Sequence, residues 1–345
     1  MGRVIPLSPP QRYTPPMPTR RTFLKLTLAT SLAQSFGLMH AAAADKKIPV
    51  IFDTDIGDDI DDTWALLMLL RMPQFDVKLA VGDNGNGLYR ARLLARFLEL
   101  TGNSQVPVGI GPEPVDHEGN QAEWLGDYRL EDYPGLVHED GIQAIIDTIH
   151  ASEEPVTLLC VGPVPNIAEA LRRDPTIARN ARFVGMYGSI RLGYGGAPEP
   201  SPEWNVRANP AALQAVFDAP WEIVITPLDT CGLLVLEGEN YRRIHDSDDP
   251  WMQALMENYR AWLPKVDYMD PETDTSKVSS TLFDTVAVYL AWDDSPFVME
   301  DLPLRVSDDG HTVIDPKNGR TVSCAMEWRD LEAFEARLTD ILLGQ

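Results

Sequence analysis

Basic residues are scarce in this 345-residue chain: 29 lysines and arginines stand against 52 aspartates and glutamates, a formal net charge of -23. Such a surface repels nucleic acid phosphates and anionic lipid headgroups, which argues against polymeric nucleic acid as a partner. No lysine at all occurs between Lys78 and Lys265. Cysteine is equally sparse. Cys160, Cys231 and Cys324 are odd in number and far apart, which fits neither a disulfide framework nor a thiolate zinc site, so they are read as small buried apolar residues. Long apolar runs are missing everywhere except near the N-terminus, so no later stretch is expected to cross a bilayer.

The N-terminal exception has its own pattern. Thr19-Arg20-Arg21-Thr22-Phe23-Leu24-Lys25 leads into a modestly apolar run from Leu26 to Ala44, which resembles a twin-arginine export signal. Ala42-Ala43-Ala44 supplies the small residues a signal peptidase reads. Residues 1–44 are therefore set aside as a signal, and 45–345 are read as one domain. The expected location is periplasmic or otherwise exported, with no stable membrane association after cleavage. A retained anchor is the alternative, although the segment is rich in Ala, Ser and Thr and barely long enough to span.

From Ile48 onward, short apolar runs alternate with helix-period segments: Ile48 to Phe52 then Thr63 to Arg71, Val77 to Val81 then Tyr89 to Leu100, Val106 to Ile110. The same alternation continues through Ile142 to His150, Val156 to Val161, Asn166 to Arg172, Phe183 to Met186, Pro210 to Phe217 and Glu222 to Ile225. It predicts an α/β fold, a single-domain, open, mostly parallel, Rossmann-like sheet with helices on both faces. After Leu236 the chain turns polar and aromatic, with Tyr241, Trp251, Tyr259, Trp262 and Tyr268 ahead of Phe283 to Trp292. That stretch is expected to form a C-terminal helical lid, although each ring taken singly could equally be packing helices together.

The chemistry concentrates after the first strand. Phe52-Asp53-Thr54-Asp55-Ile56-Gly57-Asp58-Asp59-Ile60-Asp61-Asp62 places six carboxylates within ten residues, between a strand and a helix, where open parallel sheets bind ligands. Six like charges in one turn are costly without a compensating cation. Every nearby donor is a hard oxygen, which selects calcium or magnesium over zinc or copper. A solvated loop that merely caps the helix would need only two of these carboxylates.

This segment resembles the start of the inosine-uridine-preferring nucleoside hydrolase family, where a strand ends in Asp-x-Asp, then Gly, then a paired Asp-Asp opening a helix. The spacing from Gly57 to Asp61-Asp62 is two residues longer than the family's most familiar form. Asp61-Asp62 is matched in preference to Asp59 because Ala65 and Leu66 then fall on the expected helix positions. Further motifs follow in the family's order: Val156-Thr157-Leu158-Leu159-Cys160-Val161-Gly162-Pro163, then Glu203-Trp204-Asn205-Val206 with Asn209-Pro210-Ala211-Ala212, then Pro227-Leu228-Asp229-Thr230, then Phe283-Asp284-Thr285-Val286-Ala287. The resemblance implies hydrolysis of the N-glycosidic bond of purine or pyrimidine ribonucleosides to ribose and free base, as in nucleoside salvage, and a homo-oligomer (dimer or tetramer). It further implies Ca2+ held by Asp55, Asp62, the Val161 carbonyl and Asp284, with Asp55 as the base that activates water. Substrate contacts are carried over to Asp61, Asp83, Asn86, His138, Glu203, Trp204, Asn205 and Phe283, and the Pro227 to Thr230 motif is taken as structural.

The departures are as informative. The family's histidine before the last calcium ligand, proposed to help protonate the departing base, is Phe283 here, and phenylalanine has no proton to give. Another donor, or stacking of the base on Trp204, Tyr187 or Trp262, would have to take over. Two other readings compete: a Mg2+-dependent haloacid-dehalogenase-like phosphohydrolase, which also begins with Asp-x-Asp but normally needs a cationic side chain for the phosphoryl group, and a non-catalytic exported binder of calcium and a ribosyl ligand.

Overall fold

Ile48–Thr54 forms β1, whose residues from Val50 onward are all buried, the mark of a strand covered on both faces. In the computed structural model, which describes residues 46–112, 118–269 and 276–345, β1 is hydrogen-bonded in parallel to β2 (Phe75–Gly82) on one side and to β5 (Val156–Cys160) on the other. The chain runs outward from β1 through β2, β3 (Val108–Gly109) and β4 (Val137–His138). It then returns to the far side of β1 with β5, β6 (Ala181–Met186) and β7 (Ile223–Thr226). Strand order therefore reverses between β1 and β5, and ligands of open α/β sheets bind beyond the carboxyl ends at such a reversal.

Alternation along the strands splits the interior into two cores. Val50 and Phe52 of β1, Leu159 of β5 and Val184 of β6 face one side. They pack with α1 (Asp61–Arg71), α2 (Gly87–Leu100), α9 (Pro250–Trp262), α10 (Phe283–Leu290) and α11 (Leu331–Leu342). Ile51, Leu158 and Phe183 face the other side, against α4 (Gly141–Ala151), α5 (Pro165–Arg173) and α7 (Pro210–Asp218). Helix α1 is buried at every position from Asp61 to Leu69, so it is an interior helix and shows little amphipathic contrast. The short α3 (Ala122–Leu125), α6 (Trp204–Ala208) and α8 (Gly238–His245) complete the α-helices described, beside several single 3-10 turns. Residues Lys47–Gln345 group as one compact unit, and the expected export signal lies outside the described residues.

The C-terminal part is more than the expected helical lid. Helices α8 and α9 do form, and the end of α9 rests on the acidic turn, where Trp262 Nε1 donates to the Asp58 carbonyl at 3.0 Å. Beyond β8 (Val235–Glu237) and β9 (Val278–Thr281), a separate antiparallel pair, the chain rejoins the main sheet. β10 (Phe297–Val306) pairs antiparallel with β12 (Arg320–Trp328) and with β11 (Thr312–Ile314), and β12 pairs parallel with β7, giving a ten-stranded sheet. All three cysteines are free and buried. Among the described residues no helix is long and apolar enough to cross a membrane.

Candidate active site

Where β1 ends, Gly57 turns the chain at φ +113°, and a Cβ there would sit 2.5 Å from the Tyr89 ring, so only glycine fits. Arg90, buried in α2, holds this turn from behind: it donates to the carbonyls of Asp55 and Ile56 and pairs with Asp58 at 2.8 Å. Helix α1 then opens on Asp61 and Asp62, and α10, more than two hundred residues later, opens with Asp284 in its first turn. The two helix starts touch, the Asp284 amide donating to Asp61 Oδ2 at 3.2 Å. Asp62 in turn accepts from the Thr54 hydroxyl. Positive helix N-termini thus face the carboxylates and offset part of their charge.

One carboxylate oxygen from each of Asp61, Asp62 and Asp284 lies within 4.8 Å of the others, and all three side chains are buried. Two ionised carboxylates that close repel by at least ~3 kcal/mol at an effective dielectric of ~20. Burial is the main reason that Asp55, Asp61, Asp62 and Asp284 all hold their protons well above the ordinary carboxylate range; neighbouring carboxylates add to it, and Arg90 opposes it at Asp55 and Asp62. A cluster of buried oxygen donors that cannot all ionise alone, with no histidine or thiolate among them, fits a hard divalent cation. The family resemblance implies Asp55, Asp62, the Val161 carbonyl and Asp284 as ligands of the ion and Asp61 as a substrate contact. In the fold the tightest trio contains Asp61, while Asp55 and Val161 line the cavity that the trio faces.

That cavity, about 100 Å3, is lined by the acidic turn, by Phe283 and Asp284 at the start of α10, and by Met186, Tyr194, Glu203, Trp204 and Asn205. Glu203 caps α6: Oε1 accepts the Asn205 amide at 2.7 Å and Oε2 the amides of Gly188 (3.1 Å) and Val206 (3.3 Å). Burial pushes its carboxyl up to about 7 despite those bonds. Asn205 Nδ2 spans the carbonyls of Val161 (3.0 Å) and Met186 (3.1 Å), tying the end of β5 to the end of β6. Trp204 is half exposed, and the Arg207 guanidinium lies over its ring at 5.1 Å.

Three expected substrate contacts lie elsewhere. Asp83 is fully buried behind the site, where its carboxylate accepts the Val164 amide at 2.8 Å and faces Asp53. Val164 is a left-handed residue at φ +56°, and the neighbouring Gly162 leaves no room for a Cβ, which would fall 2.5 Å from Asp83 Oδ1. Asp83 is therefore occupied in bracing the strained turn that carries the Val161 carbonyl. Asn86 caps α2 by accepting the Tyr89 amide at 2.9 Å. His138 sits in β4 at the sheet edge, three strands from β1, outside the cavity lining. Of the proposed stacking rings, Tyr187 is fully buried with its hydroxyl on the Gly162 carbonyl at 2.6 Å, and Trp262 is packed against Tyr259. Only Trp204 remains available to a ligand.

Asp229, in the motif taken as structural, accepts the amides of Ile190 (2.9 Å), Arg191 (2.7 Å) and Leu192 (3.2 Å) and so fixes the loop leading to Tyr194 and Glu203. Asp229→Ala leaves three inward amides unpaired and is expected to cost about 3 kcal/mol of stability and to raise KM more than it lowers kcat, as denaturant unfolding and steady-state kinetics would read.

None of the residues lining the cavity, among those described, is a lysine or arginine, so it offers no fixed cation for a phosphoryl group. A profile of the inosine-uridine preferring nucleoside hydrolase family matches residues 50–336. The chain belongs to that family. A pyrimidine-specific ribonucleoside hydrolase of Citrobacter koseri is 29% identical over 214 residues, 59% of this chain and 67% of that protein. A non-specific ribonucleoside hydrolase of Klebsiella pneumoniae is 30% identical over 227 residues, 62% and 73% of the two chains. Among solved structures, a plant nucleoside hydrolase superposes with a TM-score of 0.70 at 21% identity, covering 86% of this chain and 99% of its own. A purine-preferring ribonucleoside hydrolase from Gardnerella vaginalis gives 0.65 at 21% identity, covering 85% and 99%. These two show the shared fold. This nucleoside hydrolase is an enzyme, and its reaction is hydrolysis of the N-glycosidic bond of ribonucleosides.

The buried carboxyls make the stability of the metal-free enzyme depend on pH. Asp53 and Asp59 rise to about 6 and Glu203 to about 7 through burial, and the four cluster aspartates shift the same way. A raised folded pKa means the folded state binds protons more tightly, so this stability is complete below the unfolded value near 4 and is lost as pH rises through 6 to 7 and beyond. Exposed carboxyls held low, such as Glu169 and Asp174 at about 2, change only in stronger acid. Enzyme stripped of metal is expected to melt at a higher temperature at pH 5.5 than at pH 8. Saturating divalent cation should remove most of that difference, as calorimetry in both states would show.

Proposed function

We propose that the enzyme is exported to the periplasm or beyond, uses Ca2+ and splits purine or pyrimidine ribonucleosides by direct attack of water at the anomeric carbon. The observation that carries this reading is the meeting of Asp61, Asp62 and Asp284, from two segments far apart in sequence, beside Asp55 in one cavity. Asp61, Asp62 and Asp284, with Asp55 and Val161 lining the same cavity, would hold the ion. A calcium ion held by these residues would supply Lewis acidity that makes water easier to deprotonate.

Each side chain then has a separate task. Asp55 accepts the proton of the attacking water as general base. The surrounding carboxylates favour the oxocarbenium-like ribosyl cation that forms as the bond to the base breaks. Glu203 and Asn205, fixed by their bonds to α6 and to the ends of β5 and β6, face the sugar, and Trp204 offers a flat apolar surface to the base.

Export is supported by the sequence around Arg20-Arg21, and assembly into a dimer or tetramer is the accompanying expectation. A panel of purine and pyrimidine nucleosides tests the reaction: reducing sugar should appear from nucleosides and be suppressed by chelator, with no phosphate released from phosphomonoesters. Phosphate release without ribose release would overturn the reading.

A further inference from the structure

Phe283, where the family resemblance implies a histidine, lines the cavity and has no proton to give a departing base. Among the lining residues, few can supply it. Glu203 turns both oxygens to backbone amides, Oε1 to Asn205 and Oε2 to Gly188 and Val206. Asp58 is paired with Arg90, Asp59 accepts the Ile60 amide at 2.6 Å and hydrogen-bonds the Tyr268 side chain, and Asp61, Asp62 and Asp284 face one another. An indole N–H such as that of Trp204 can donate a hydrogen bond but does not give up its proton.

Tyr194 is different. Its ring meets Phe283 edge-on, with centroids 6.1 Å apart and planes at 87°, so the phenol stands beside the residue that lacks the proton. Its oxygen accepts the Trp204 amide at 2.8 Å. That bond pins the oxygen and occupies it as an acceptor, leaving the hydroxyl hydrogen to point elsewhere. The side chain lines the cavity. The side chain is 43% exposed, yet partial desolvation of the phenol and the nearby Glu203 raise its pKa, so it keeps its proton throughout the neutral range. The turn that carries it, Tyr194–Gly196, is shaped by Gly195 and Gly196 at positive φ and is anchored by Asp229 through the preceding amides.

The geometry points to Tyr194 as the group that hands a proton to the departing base, a role resting on the hydrolase reading above. The C–N bond breaks with its electron pair passing to the base. The Oη–H bond of Tyr194 breaks with its electrons staying on oxygen, and the proton joins an acceptor atom of the base. The proton that Asp55 takes from water is lost to solvent and a solvent proton restores the phenol, so nucleoside and water give ribose and neutral base.

The test compares Tyr194→Phe with wild type on inosine, uridine and p-nitrophenyl β-ribofuranoside, whose nitrophenolate departs without a proton. Tyr194→Phe keeps the ring against Phe283 and removes only the hydroxyl. The expected result is a kcat about 10²-fold lower on the nucleosides, with less than about threefold change on the nitrophenyl riboside. Equal losses on both substrate types would mean that the hydroxyl merely positions Trp204 and would overturn the proposal, as would an unchanged rate on nucleosides. Wild-type enzyme that releases ribose from none of the three would sink the hydrolase reading itself, and Tyr194's role with it, a result distinct from either Tyr194→Phe outcome.

Discussion

Asp55→Asn is expected to lower kcat for ribose release by about 10³-fold while leaving the enzyme folded. The substitution is nearly isosteric, and the backbone at this position is held independently of the side chain, since Arg90 binds the carbonyls of Asp55 and Ile56. What is lost is the ability to take a proton from water. An amide also removes one of several mutually repelling buried carboxyls, so the metal-free variant should melt at or above the temperature of metal-free wild type at pH 8. Steady-state kinetics on inosine and uridine, paired with thermal unfolding, separate these effects. A rise in KM with kcat intact would make Asp55 a binding group and not the base.

Much of this arrangement is legible in the sequence because parallel strands buried on both faces appear as uninterrupted apolar runs, and the acidic residues follow the first of them directly. Asp284 is harder to see, since nothing local distinguishes it from a helix-capping aspartate; only its place in an ordered series of motifs singles it out. The antiparallel edge is harder still. β10 carries Glu300, Asp301 and Arg305 among half-buried positions, so it lacks the apolar run that marks the central strands, and the sequence pattern predicts no strand beyond Trp292. Asp83, Asn86 and His138 show a second limit: a polar residue after a strand looks the same whether it meets a ligand, a backbone amide or solvent. Arg90 and Tyr194 were missed for related reasons. Arg90 interrupts a helical pattern as any surface arginine would, and Tyr194 lies in a glycine-rich turn with no periodicity to flag it.

Asp284→Ala is expected to abolish turnover and calcium binding together. Asp284→Ala deletes the oxygen donor that α10 contributes to the Asp61, Asp62 and Asp284 trio, and loss even of groups that only support metal ligands typically costs 10- to 100-fold in affinity or activity. The variant should therefore need about 10²-fold more calcium for any recovery. It should also lose the thermal stabilisation expected of a saturating divalent cation on wild type, about 2.7 kcal/mol at a hundred times Kd.

The most direct measurement is calcium titration of chelator-stripped wild type and Asp284→Ala, reading ribose release from a nucleoside at each point. Buried carboxyls that share one hard ion predict a stripped enzyme that is silent, a wild type that recovers with one calcium per chain, and a variant that stays silent over the same range. Full ribose release by the stripped wild type, or recovery of the variant at wild-type calcium concentrations, would contradict it.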